Sequence, residues 1–71
     1  MSKETYMIES LTRELITQVM EDHHLSWRNA MDIVYRSKTF AALNDLRTGL
    51  YFQSAAYVYE DLAEELKNQN N

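Results

Sequence analysis

Cysteine and proline are absent from this chain of 71 residues, and glycine occurs once, at position 49. Without cysteine there is no disulfide framework, no thiolate metal site and no thiol nucleophile. A single glycine cannot build a glycine-rich phosphate loop. Long apolar runs are also missing: the uninterrupted ones are a few residues each, far short of a membrane span. The opening residues MSKETYMIES lack the basic start and continuous apolar stretch of a signal peptide, so the expected location is cytoplasmic. Positive charge is in deficit, with a net charge of -4. An acidic domain attracts no polyanion through its mean field, which disfavours nucleic acid and anionic membrane and favours a basic protein as partner.

What is present suits a small helical domain. Hydrophobic residues make up 45% of the chain, too many for a disordered segment. The expected architecture is all-α over residues 1–71: three main helices and one short one, with residues 67–71 as a frayed tail. A core of this size makes self-association into a homodimer an expectation.

Ile8, Leu11, Leu15 and Val19 recur at helical spacing and predict a helix over residues 3–22, capped by Ser2, with Glu9 and Arg13 as an i,i+4 pair. Ile16 and Met20 widen its apolar stripe on one side, as in a helix that touches more than one neighbour. A second helix starts at Ser26 and places Trp27, Ala30, Met31 and Val34 on one face, with Ile33 pointing elsewhere. Ser37 closes it, and Thr39 caps a short third helix that contributes Phe40 and Leu43. Ser54 caps the last helix, residues 55–68, whose buried face is Ala55, Val58, Tyr59, Leu62 and Leu66.

Between the third and last helices, Asp45 opens a turn that ends with Gly49 at positive φ. The following LYFQ is rich in strand-favouring side chains and predicts a short extended aromatic connector. Alternation along it turns Leu50 and Phe52 inward and Tyr51 outward.

Charge is unevenly distributed: residues 1–25 carry -3, residues 26–47 carry +2 and residues 48–71 carry -3. The basic middle, with Arg28, Arg36, Lys38 and Arg47, is expected to pair with the acidic first and last helices. His23 and His24 are adjacent, so on a helix they point ~100° apart and cannot share one ion; no metal or other cofactor is expected. No serine stands in a nucleophile-elbow context, and the chain is read as non-catalytic.

The last helix carries the candidate binding face. Tyr57, Glu60, Asp61 and Glu64 group opposite Val58, Leu62 and Leu66, and the i,i+4 pairs Glu60/Glu64 and Asp61/Glu65 repel one another. A basic protein docked on this face would relieve that repulsion, with Tyr57 as an aromatic anchor and Tyr51 as a further contact. The competing function is a DNA-associated transcriptional regulator using a helix-turn-helix-like region around residues 26–46.

The segments AMDIVYRSKTF, TGLYFQS and YVYEDLAEEL together resemble a small group of uncharacterised bacterial proteins, similar in size, helical, and often encoded near candidate toxin-antitoxin genes. The resemblance spans residues 30–66 and carries over no functional residue. It implies a binding role, as an antitoxin or accessory subunit.

Overall fold

Every α-helix of the protein begins at a serine. A computed structural model describes residues 2–69 and places α1 at Lys3–His23, α2 at Trp27–Arg36, α3 at Lys38–Leu43 and α4 at Ala55–Gln69. The Oγ atoms of Ser2, Ser26, Ser37 and Ser54 accept from the amides of Thr5 (3.1 Å), Asn29 (3.2 Å), Phe40 (2.9 Å) and Tyr57 (3.1 Å). Each hydroxyl satisfies a donor that has no partner within its own helix, a contribution of about 1 kcal/mol. Three of these caps are as expected. The fourth corrects the assignment to Thr39, which lies inside α3 with its side chain buried. Ser37 both closes α2 and opens α3: its extended backbone (φ -76°, ψ 151°) turns the chain between them without a linker.

The caps direct one apolar face of each helix into a shared core. Leu15 and Val19 of α1, Ala30 and Val34 of α2, Leu43 of α3, and Val58 and Leu62 of α4 are fully buried, and Ile8, Leu11 and Ile16 complete the core from α1. The widened stripe of α1 has its reason here, since α1 packs against α2, against α4 and against the segment before α4. Ile33 departs from expectation and packs against the core, whereas Trp27, at the first position of α2, is 42% exposed. Among the described residues there is no strand, and no helix is long and apolar enough to cross a membrane.

α1 stops at His24, which takes the left-handed conformation (φ 55°, ψ 48°), while the Leu25 amide reaches back to the Met20 carbonyl at 3.1 Å. This is the closure that glycine usually makes at a helix end, and Leu25 and Met20 both pack on the core beside it. Gly49 is the other left-handed residue (φ 68°), as the turn chemistry predicts.

The connector is helical, not extended. Leu46–Thr48 and Leu50–Phe52 form two short 3-10 turns on either side of Gly49. Thr48 holds the first: its hydroxyl contacts the Ala42 carbonyl at 2.7 Å and accepts from the Leu50 amide at 3.1 Å. A 3-10 turn rotates its side chains by ~120° per residue, so two-residue alternation does not apply. Leu50 and Tyr51 therefore pack on the core, and Phe52 is left 69% exposed. At the other end, α4 continues through Lys67, Asn68 and Gln69, which were expected to fray; Asn70 and Asn71 lie outside the described residues.

The two left-handed positions predict opposite effects of substitution. A Cβ at Gly49 would meet no atom within 4 Å, so Gly49→Val should destabilise through backbone strain alone, by more than about 1 kcal/mol. His24→Gly should stabilise by about 0.5–1 kcal/mol by relieving the same strain. Chemical denaturation of both variants checks this, and an unchanged midpoint for Gly49→Val would contradict the turn.

Candidate partner-binding face

Three sides of α4 have three different environments. Its inward side carries Val58 and Leu62, fully buried, with Ala55, Tyr59 and Leu66 partly buried beside them. At ~100° per residue, Tyr57, Glu60, Asp61 and Glu64 occupy a band roughly 100° wide on the opposite side. All four are exposed, Tyr57 by 51%. No hydrogen bond or ion pair among the described residues engages the charged side chains of this band. Tyr51, expected beside them, is not part of the band. Its ring packs on the core and leans on Phe52, with centroids 4.4 Å apart.

The flank of α4 that faces α3 holds a residue whose role is not visible in its local sequence. Glu65, read above as half of a repelling pair with Asp61, turns aside and binds the first turn of α3. Its carboxylate accepts from the amides of Lys38 and Thr39 and from the Thr39 hydroxyl, each at 2.8 Å. With the Phe40 amide bonded to Ser37 Oγ and the amide of Ser37 itself to the Val34 carbonyl at 3.1 Å, all four orphan donors of α3 are satisfied. Partial burial works against ionisation of Glu65, and the hydrogen bonds from Lys38 and Thr39 outweigh it, so its carboxyl lies below the usual glutamate value.

Tyr59 makes the corresponding contact to α1, donating to the Asp22 carboxylate at 2.6 Å. That bond, together with a weaker one from Gln18, lowers the Asp22 pKa. Burial and the neighbouring carboxylate raise the Tyr59 phenol.

Between α1 and α4 runs an open groove of about 670 Å³. Glu60 forms one edge of it, opposite Glu14 and Glu21 of α1, with Arg13 as the one cation. The acidic band of α4 thus continues across the groove onto α1. Among the described residues no ion pair joins the basic middle of the chain to either acidic helix, contrary to expectation, although the Lys38 charge helps to lower the Glu65 carboxyl pKa. Arg36 pairs with Asp32 one turn away at 3.1 Å, and Arg47 with Asp45 at 2.8 Å, both within residues 26–47. Short-range geometry decides this: each arginine meets a carboxylate two or four residues earlier before it can reach another helix. His23 ends α1 and His24 follows it, and among the described residues no group of three or more potential ligands could hold a metal ion.

No protein-family model matches the chain, and no curated protein or solved structure is detectably similar to it.

The depressed pKa of Glu65 fixes the sign of a pH effect. Its stabilising contribution is present above the ordinary glutamate value, near 4.5, and is lost as pH falls through the lower folded value. Glu65→Gln should therefore cost about 1–2 kcal/mol at neutral pH, toward the low end because the carboxylate is partly solvated. The gap should close on acidification. Thermal melts of both proteins across the acid range test this, since Asp22 and Asp45 are common to both and cancel. A gap independent of pH would contradict the assignment.

Proposed function

We propose that the protein is a non-catalytic protein-binding module whose partner is basic and docks on the outer band of α4, as an antitoxin or accessory subunit would. The observation that carries this reading is the state of the band. Among the described residues Glu60, Asp61 and Glu64 form no ion pair; they stand together beside a half-exposed Tyr57, and the same charge continues to Glu14 and Glu21 across the groove. A fold that needed only a solvated surface here gains nothing from the like-charged i,i+4 pair Glu60/Glu64, which costs a few tenths of a kcal/mol. A cationic partner turns that repulsion into attraction and steers encounter.

The DNA-associated reading of residues 26–46 draws less support. α3 has only six residues and follows α2 through Ser37 alone, and two of the four cations of the basic middle are already paired to carboxylates. Arg28 and Lys38 leave a thin footprint for phosphates.

Reversing Glu60 and Glu64 to lysine should leave the thermal melt nearly unchanged, because both side chains are exposed and one like-charged pair replaces another. Association with the partner that copurifies should slow at least about tenfold and lose most of its salt dependence. Tyr57→Ala should mainly speed dissociation. Binding kinetics at two salt concentrations measure both effects, and wild-type behaviour in both variants would remove α4 from the interface.

A further inference from the structure

Glu14, Glu21 and Glu60 line the groove between α1 and α4 against Arg13 alone, three carboxylates to one guanidinium. Two smaller depressions are balanced, Glu9 with Arg13 in one and Asp32 with Arg36 in the other, and a third carries Glu14 only. Among the described residues none of the three groove carboxylates makes a hydrogen bond or an ion pair. The ground between them is small or apolar: Leu15 is fully buried beneath it, Ala55 and Tyr59 are partly buried, and Ala56 is exposed on the α4 wall. The Tyr59 ring is fixed there by its hydroxyl, which donates to Asp22 at 2.6 Å.

The spacing of the carboxylates selects the shape of what fits. Glu14 and Glu21 stand seven residues apart on α1, on the same side and about 10.5 Å apart along its axis. Residues i and i+7 of a second helix laid along α1 recur at the same interval. An extended chain repeats its side chains on one side at about 7 and 14 Å and misses it. The α1 wall of the groove runs from Ser10 to Glu21, about 16 Å or three helical turns. Resting on the reading of the partner as basic, we propose that the groove receives a basic helix of that partner. The helix runs along α1 with lysine or arginine side chains at i and i+7 on Glu14 and Glu21 and a third between them toward Glu60, and with small or apolar residues on Leu15, Ala55 and Ala56. A second copy of this chain, at net charge -4, is repelled from the same groove.

The body of the partner then covers the outer band of α4, and the two contacts can be altered separately. Asp61 and Glu64 belong to the band and line no part of the groove. Thr17 is exposed on the α1 wall, where a large side chain fills the groove without changing its charge.

Amide chemical shifts of the isotope-labelled full chain, titrated in about 50 mM salt with an alanine-rich peptide of about eighteen residues carrying lysines at i, i+4 and i+7, test the proposal. Saturable shifts should run along α1 from Glu14 to Glu21 and include Ala56 and Glu60. A peptide of equal charge with its central alanines replaced by proline cannot form the helix and should bind at least about fivefold more weakly. Thr17→Trp should weaken binding of the helical peptide at least about tenfold with an unchanged circular-dichroism melt. Asp61→Asn combined with Glu64→Gln should change it less than about threefold. Absence of saturable binding overturns the proposal, as does equal binding of the two peptides or wild-type affinity in Thr17→Trp. Shifts confined to Asp61 and Glu64 also overturn it, yet leave a basic partner on the outer band standing. Failure of that broader reading shows instead as wild-type binding of the copurifying partner when Glu60 and Glu64 are reversed.

Discussion

The carboxylate of Glu65 at the first turn of α3 is the interaction on which the arrangement of the helices depends. A six-residue helix is too short to persist on its own backbone bonds, because nucleation fixes several residues for the first bond formed. α3 persists because its amides are satisfied from outside, two by Glu65 and one by Ser37. The same contact ties the C-terminal half of α4 to the corner where α2 ends. Tyr59 and Asp22 do the equivalent for α1. Between these two polar ties, Val58 and Leu62 are held against Leu15, Val19 and Leu43 in a core that includes residues from all four α-helices.

The orientation of α4 follows, and with it the functional reading. With one flank committed to α3 through Glu65 and the inward side to the core, the remaining carboxylates form no ion pair among the described residues. Arg36 and Arg47 of the middle segment are spent on Asp32 and Asp45. The consequence is a molecule with two distinct outer surfaces. One is acidic, running from Glu60 and Glu64 toward Glu14 and Glu21; the other is aromatic, around Tyr6 and Phe52, and Glu14 borders both.

Much of this was legible in the sequence where the governing interactions are local. Ser2, Ser26 and Ser54 announce helix starts because the donors they satisfy lie three residues away, and Gly49 announces a left-handed turn for a similarly local reason. The exposure of Glu60 and Glu64 follows from helical period alone. Tyr51 and Phe52 were transposed because strand-favouring residues suggested a two-residue period, and a 3-10 turn imposes a three-residue one. Glu65 was misread for a different reason. Its partners lie 26 and 27 residues earlier, and neighbours at i,i+4 show repulsion while saying nothing of a helix end across the fold. His24 in the left-handed region carries no signal beyond its place after a helix, where glycine would ordinarily be the marker.

Native-state hydrogen exchange at the amides of Lys38 and Thr39 tests the central role of Glu65 most directly. First-turn amides ordinarily exchange almost as in an unfolded chain, since nothing within their own helix protects them. In the wild-type protein both should exchange at least about a hundredfold more slowly than that at neutral pH. In Glu65→Ala their protection should fall while Val19 and Leu62, deep in the core, stay protected. Fast exchange of Lys38 and Thr39 in the wild type would contradict the account and leave α3 without its anchor.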